Sequence, residues 1–144
     1  MREIKYKALV VKTQLDNLGS NMQLAGVSEY EEMIKVQTIS FDNGKVDYVT
    51  DEDMEEYSFA DNSLKAVVEY TGLNDIKGKE IYEGDIVHTT GVTIDNRGVV
   101  KLIDGAWVVE AFDQKDGWFL FQEIEENEVI GNIYSNPGLL GGAI

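Results

Sequence analysis

The stretch with the densest candidate chemistry is YTGLNDIKGKEIYEGDIV, residues 70–87, which holds three glycines and a Gly-Lys pair. A phosphate-binding P-loop needs G-x-x-x-x-G-K-[ST], because its backbone surrounds the phosphates, its lysine reaches them and its hydroxyl binds magnesium. Here five residues separate Gly72 from Gly78, and Glu80 stands where the hydroxyl is needed. The segment that follows is typical of a strand, not of a helix. We predict instead that this stretch turns the chain, with Asn74, Asp75 and Gly78 as turn residues and Gly84 at a position that needs positive φ or close packing.

The segment FDQKDGWFLFQE, residues 112–123, resembles part of a calcium-binding loop, D-x-[DN]-x-[DN]-G-x5-E. Aligning Gly117 with the glycine of that pattern places Glu123 at its last position. The first ligand position would then be Phe112, and the third Gln114. Without the first carboxylate the site loses its anchor, so we do not assign a calcium site here.

Other catalytic and metal-binding patterns are incomplete. The sequence contains no cysteine, and His88 is its single histidine, which we interpret as an ordinary strand residue. The acidic run 51–56 would point around the axis of a short helix and not at one cation. No spacing singles out a pair of carboxylates for acid-base chemistry, which leaves an enzyme of that kind as a minor alternative. We therefore predict no catalytic, cofactor-binding or metal-binding residue, and no cofactor.

The charge of the chain limits its partners. There are 12 Lys and Arg against 27 Asp and Glu, a formal net charge of -15. Such a surface repels nucleic acids and membranes, so we expect neither as a partner. Excess acid most often serves solubility, but it can also meet a basic partner protein or imitate a nucleic-acid backbone. An alternative in which a small barrel binds nucleic acid requires its few basic residues to converge, namely Lys77, Lys79, Arg97, Lys101 and Lys115.

Aromatic residues near the end of the chain do not favour nucleic acid either. Base-stacking surfaces interleave aromatic with basic side chains. The aromatic residues Trp118, Phe119 and Phe121 have mostly acidic neighbours, with Lys115 as the nearby cation. A core or a protein interface is the better interpretation.

Hydrophobic periodicity indicates a mainly β fold with a few short helices. The chain has 144 residues, 43% of them apolar, which suits one domain or a domain with a smaller module. Short strands cut by Gly, Asn and Asp predict a compact antiparallel sheet or small barrel over residues 69–144. Residues 1–68 are predicted to form a separate module of a strand, a hairpin and short helices.

In the N-terminal half, alternation of Ile4, Tyr6, Ala8 and Val10 predicts a strand, followed by a polar stretch over residues 12–26. The sequence Ser-Glu-Tyr-Glu at 28–31 fits a capping box and a short helix. Alternating residues on either side of residues 42–44, Asp-Asn-Gly, predict a hairpin. Thr50 precedes an acidic run and is predicted to cap one or two helical turns that extend to residue 57.

In the C-terminal half, Asp104-Gly105 is the clearest turn. A two-residue type I′ loop there pairs Ile103 with Ala106, and the same register joins two further pairs, Leu102 with Trp107 and Val100 with Val109. We therefore predict Trp107 to be a core residue. Pro137 and the glycines after it are expected to end regular structure.

The first residues, MREIKYKALVVK, lack the apolar core of a signal peptide, and no window approaches the roughly 18 apolar residues that span a bilayer. We therefore expect a soluble protein of the cytoplasm.

Three motifs together resemble the YopX family of bacteriophage and prophage proteins. They are the glycine-containing stretch 70–87, Gly-Val-Val at 98–100 and EVIGNIYSNPGLL at 128–140, with a matching start, MREIKYKA. Small departures occur, such as Glu69 before the Tyr-Thr-Gly and Gly138 after the proline. The resemblance implies a phage or prophage origin, a largely β fold with an SH3-like small barrel in the C-terminal part, and self-association. It assigns no biochemical activity.

Taken together, these observations favour a non-enzymatic phage accessory protein that works through protein contacts, with itself or with a host or phage protein. A nucleic-acid-binding barrel is the alternative, and an acidic nucleic-acid mimic is a weaker one.

Overall fold

The computed structural model describes residues 3–17, 25–90, 97–111, 117–120 and 126–141. In these ranges the regular structure is almost entirely β, with one four-residue helical turn, α1 (Gly138–Gly141). The prediction of a mainly β fold is confirmed. Two compact units make up the chain: Tyr6–Val67, the N-terminal unit, and Met1–Lys5 with Val68–Ile144, the C-terminal unit. In the part of the chain that the structure describes, no helix has the length and apolar character to cross a membrane.

The N-terminal unit packs two antiparallel sheets. Its strands are β1 (Tyr6–Asn17), β2 (Ala25–Lys35), β3 (Thr38–Asp42), β4 (Lys45–Thr50), β5 (Glu56–Ser58) and the first residues of β6 (Leu64–Asn74). One sheet runs in the order β2, β1, β6, and the other in the order β3, β4, β5. Side chains from both sheets form the core: Ala8, Val10, Ile34, Val49, Tyr57 and Leu64. The alternation read from Ala8 and Val10 therefore places the correct side of β1 inside.

The helix expected at residues 28–31 is wrong, because these residues lie within β2. Eleven residues of β2 pair in unbroken antiparallel register with β1, from Lys7 with Lys35 to Asn17 with Ala25. A capping box satisfies only the first amides of a helix, whereas this pairing satisfies a whole strand edge. The polar stretch 12–26 is likewise strand over much of its length; residues 18–24 lie outside the described part of the chain.

The helix cap expected at Thr50 is also wrong. Thr50 ends β4, is 7% exposed, and its hydroxyl lies 2.5 Å from the hydroxyl of Thr38 on β3. The acidic run forms a turn, in which the Asp51 carboxylate accepts hydrogen bonds from the amides of Asp53 at 2.9 Å and Glu55 at 3.0 Å. The chain then returns as β5 beside β4. Pairing with two neighbouring strands outweighs the local preference for a helix.

The C-terminal unit is built on a five-stranded antiparallel sheet. After the end of β6 its elements are β7 (Glu80–Tyr82), β8 (Asp85–Thr90), β9 (Arg97–Ile103), β10 (Ala106–Ala111), β11 (Gly117–Phe119) and β12 (Glu126–Asn132). The sheet order is β11, β10, β9, β8, β12. The last strand along the chain, β12, therefore lies beside β8, the earliest strand of this sheet. The sheet curls into a half barrel. Inside it lie Ile81, Val87, Val100, Val109 and Leu120.

Both predicted hairpin turns are present. Asn43 and Gly44 have φ values of 52° and 79°, and Asp104 and Gly105 have 51° and 81°. Two successive positive φ values define the type I′ turn, which Asn-Gly and Asp-Gly adopt at low cost.

The pairing predicted for the second hairpin is confirmed: Ile103 faces Ala106, and the register continues inward to Val100 and Val109. Trp107 packs against the core but keeps part of its ring in solvent. Its partner Leu102 is 48% exposed, because both lie at the far end of the hairpin. Trp107 is thus at the margin of the core.

A chain of polar side chains crosses the interior of the C-terminal unit. The Trp118 indole N–H donates to the Thr89 hydroxyl at 3.2 Å, and that hydroxyl donates to Asn127 Oδ1 at 2.6 Å. The Asn127 amide then donates to the carbonyl of Leu120 at 3.0 Å. Thr89 and Asn127 are 0% and 8% exposed, so their bonds replace water. This network joins β8, β11 and β12.

Thr89→Val is expected to lower the free energy of unfolding by about 1–2 kcal/mol, because the shape is kept while Trp118 and Asn127 each lose a buried partner. Urea denaturation measures the loss. Thr90→Val, at the exposed neighbouring position, is the matched control and should change stability by less than about 0.5 kcal/mol. Equal midpoints for the two variants would contradict a structural role for the network.

Candidate functional site

Residues 70–87 connect β6, β7 and β8 through two tight turns. Gly72, Gly78 and Gly84 all have positive φ, between 83° and 86°. A Cβ atom on Gly84 would lie 3.2 Å from the Tyr134 ring and 3.6 Å from Ile133. Gly84 therefore combines a positive φ with close packing against side chains, in agreement with the prediction, and the stretch turns the chain.

The carboxylate of Asp75 organises the first of these turns. Its Oδ1 accepts hydrogen bonds from the amides of Lys77 at 2.9 Å and Lys79 at 2.8 Å, and its Oδ2 accepts one from Val129 on β12 at 3.0 Å. Burial opposes ionisation, but the three amide bonds outweigh it and hold the pKa of Asp75 below its usual value. With three amides bound to its two oxygens, this carboxylate stabilises the turn and is poorly placed for acid-base chemistry.

A second cluster of titratable groups joins the start of the chain to β7. Lys5 Nζ contacts the carboxylate of Glu80 and lies 2.9 Å from Glu3 Oε2. It also lies 5.6 Å from the centroid of the Tyr70 ring. Tyr82 donates a hydrogen bond to Glu80 at 3.1 Å, and its ring centroid is 5.5 Å from that of Tyr70. We call Lys5, Tyr70, Glu80 and Tyr82 the lysine-tyrosine cluster.

The charges of this cluster suit a role in attaching the first residues of the chain to the C-terminal unit. Hydrogen bonds to Glu80 and Glu3 raise the pKa of Lys5, so its amine stays protonated and is not a nucleophile. Backbone pairing supports the same attachment, since the Tyr70 amide donates to the Lys5 carbonyl at 2.9 Å. The cluster therefore fastens the first residues to the C-terminal unit.

Tyr82 gives this cluster a measurable pH dependence. Burial and the hydrogen bond to Glu80 raise the pKa of Tyr82 from 10.0 to about 12. A group whose pKa is raised on folding contributes stability that is complete below its unfolded pKa and is lost as pH rises. We expect the native protein to lose stability between pH 10 and 12 more steeply than Tyr82→Phe. The absorbance at about 295 nm reports tyrosine ionisation during an alkaline titration. The absorbance difference between the native protein and Tyr82→Phe should follow a pKa near 12, and a difference centred near 10 would contradict the hydrogen bond to Glu80.

Other residues tested from sequence do not assemble a site. His88 is half-buried on β8, in register with Glu128 on one side and Arg97 on the other. Lys77 pairs with Glu128 at 2.8 Å, and Lys101 with Glu110 at 2.7 Å. Most of the segment 112–123, including its would-be first and last ligands, lies outside the described residues. Within the described ranges, no three acidic or histidine side chains are arranged to hold a metal ion.

The concave surface of the N-terminal unit is strongly acidic. Two overlapping depressions share Val11, Thr13, Tyr30, Asp61 and Ser63. We call their combined surface the acidic groove; its charged lining is seven carboxylates and two lysines, namely Glu29, Glu31, Asp51, Asp53, Glu55, Glu56, Asp61, Lys12 and Lys65.

Local contacts keep the groove negative. Lys12 lies 3.0 Å from Glu32, so part of its charge is already neutralised. The hydroxyl and amide of Ser63 donate to Asp61 and lower the pKa of that carboxyl, which stays ionised at neutral pH. The groove therefore has the electrostatic character to receive a cationic group.

Comparison with known proteins identifies the family of this chain. The family described as YopX protein matches residues 19–141. The chain belongs to the YopX family. Among curated proteins, no match is found. A crystal structure of protein EF1440 from Enterococcus faecalis is similar at 18% identity and a TM-score of 0.47, covering 97% of this chain and 99% of that one.

The YopX match includes the middle of the chain, where the three motifs do not reach, and it begins after the MREIKYKA start. All three motifs have structural roles. Residues 70–87 form the turns held by Asp75, Gly98 pairs closely with β10, and the segment 128–140 supplies Val129, whose amide donates to Asp75.

The acidic groove of this YopX-family chain was not predicted. Its carboxylates come from segments about 30 residues apart, such as Glu29 and Asp61. No pattern within a short stretch of sequence could therefore predict the groove.

Proposed function

We propose that this YopX-family chain is a phage- or prophage-encoded accessory protein that acts in the bacterial cytoplasm through contacts with other proteins and catalyses no reaction. The observation that supports this most directly is the acidic groove beside β2, an edge strand of eleven residues. Open strand edges recruit extended segments of partners, and a surface of one charge sign selects partners of the other.

The polar groups of the C-terminal unit support the absence of catalysis. Catalytic groups must be free to exchange protons or bind a substrate atom. Here Asp75 is bound by three amides, Lys5 by two carboxylates, and Thr89 and Asn127 by each other. Each of these groups has a structural role in the C-terminal unit.

Nucleic-acid binding by the half barrel is the weaker candidate. It needs several unpaired cations on one surface. Of the five basic residues that would have to converge, Lys77 and Lys101 are paired with carboxylates, and Lys115 lies outside the described residues. These ion pairs reduce the positive charge that a phosphate backbone could meet.

Affinity capture tests the proposal. The tagged chain is recovered from nuclease-treated lysogenic or phage-infected cells, and co-purifying proteins are identified by mass spectrometry, with light scattering of the pure chain to measure self-association. A stoichiometric host or phage protein, or a defined homo-oligomer, supports action through protein contacts. A monomer that co-purifies with no protein but with nucleic acid, a metal or a nucleotide would overturn it.

A further inference from the structure

The outer edge of β2 is the feature that most clearly lacks a structural explanation within the chain. β2 is the end strand of its sheet and pairs on one side with β1 over all eleven residues. Among the described residues, no strand pairs with its other side. A strand has one row of amides and carbonyls on each side, so within the described residues the outer row of β2 is open to a further strand.

β2 has little of the usual protection of edge strands. It contains no proline, and its register with β1 shows no bulge. It exposes two apolar side chains, Val27 at 66% and Tyr30 at 41%. The protection that it does have is negative charge, from Glu29, Glu31 and Glu32. Charge on an edge strand excludes some partners and leaves others possible.

A second copy of this chain is disfavoured in two of the registers that it could adopt on this edge. An antiparallel pair of β2 strands centred on Tyr30 would place Glu29 opposite Glu31 of the other copy, twice. A parallel pair in register would place each glutamate opposite itself. Like charges directly opposite each other destabilise a strand pair.

A basic strand has the opposite electrostatics. Glu29 and Glu31 are two residues apart, so they lie on the same face of the sheet, together with Val11 and Thr13 of the acidic groove. A cation at every second position of an added strand would lie opposite them. The chain itself shows such a contact on the inner side of β2, where Lys12 of β1 reaches Glu32 at 3.0 Å.

We propose that the outer edge of β2 binds an extended segment of a partner protein that carries Lys or Arg at alternate positions. The segment adds to the sheet as a strand, and its basic side chains lie on the same face as Glu29 and Glu31. This inference rests on the proposed function and specifies the partner's chemistry and its binding place.

The test uses the full chain and synthetic fluorescent peptides of nine residues. The first peptide alternates Lys with Thr and Val; the second replaces Lys with Glu; the third keeps Lys but has N-methylated amides, which cannot pair with a strand. Fluorescence anisotropy at low salt gives the affinities, and amide hydrogen exchange of residues 25–35 reports where the peptide binds. We expect binding of the first peptide only, with slower exchange along β2.

Charge-reversal variants provide the matched comparison. The double variant Glu29→Lys with Glu31→Lys should bind the first peptide about tenfold or more weakly than the native chain does. Asp42→Lys with Asp47→Lys changes net charge equally on the exposed β3–β4 hairpin and should leave its affinity within about twofold. Circular dichroism verifies that both variants fold. Should the double variant of β2 not fold, the N-methylated peptide and the exchange data on the native chain decide the question.

Three results would overturn the inference: no binding of the first peptide, equal loss in both double variants, or equal binding of the N-methylated peptide. The last two would indicate attraction by net charge alone. The proposed function is judged separately, by the captured partner. A partner that binds the β2 variant as well as the native chain would leave that function standing and remove β2 as its site.

Discussion

Asp75→Asn is expected to lower the free energy of unfolding by about 2–3 kcal/mol. An asparagine can keep one oxygen facing the amides of Lys77 and Lys79. Its NH₂ group would then face the amide N–H of Val129, so two donors meet and neither is satisfied. Because Asp75 is 8% exposed, water does not readily replace the lost acceptor. Urea denaturation at pH 7 measures the effect.

Asp104→Asn is the matched control for this variant. It also removes one carboxylate from a hairpin turn, but Asp104 is exposed and has a φ of 51°, which asparagine tolerates well. Its expected change is below about 0.5 kcal/mol. Comparable losses in the two variants would show that net charge, and not the three amide bonds, determines the effect.

The pH dependence gives an independent check on Asp75. Its folded pKa lies below the usual 3.8, so its contribution is complete above that value and is lost as pH falls through the folded pKa. The stability difference between the native chain and Asp75→Asn should therefore shrink below pH 3.8. A difference that stays constant on further acidification would contradict the depressed pKa.

Gly98→Ala is expected to lower the free energy of unfolding by about 3 kcal/mol. A Cβ atom on Gly98 would lie 2.4 Å from the carbonyl oxygen of Glu110 and 2.8 Å from a methyl carbon of Val109. The first contact is with the backbone of the neighbouring strand, which cannot move aside as a side-chain tip can. The register at this point, with Ala111 opposite, would have to open. Thermal and urea denaturation report the loss.

Gly138→Ala provides the control for an added methyl group. Nothing lies within 4 Å of a Cβ at this position, and Gly138 begins α1, where alanine is favoured over glycine. We expect unchanged or slightly raised stability. If Gly98→Ala and Gly138→Ala had the same melting temperature, the tight packing inferred at Gly98 would be refuted.

Local signals in the sequence determined the turns and the periodicity of this protein. Asn43-Gly44 and Asp104-Gly105 specify their hairpins because few residue pairs adopt two positive φ values at low cost. The register after Asp104-Gly105 followed from the two-residue loop alone. Alternation in β1 identified Ala8 and Val10 as interior, since a strand presents every second residue to one face.

Tertiary structure decided the features that depend on residues far apart in the chain. Ser28 to Glu31 became strand and not helix because β1 offers an unbroken partner edge. Asp75 was predicted as a turn residue, but its bond to Val129, 54 residues later, makes it a buried anchor. The acidic groove likewise exists only once distant segments are brought together. Periodicity and turn chemistry act over a few residues, whereas the sheet neighbours that satisfy a backbone edge or a buried carboxylate are set by packing.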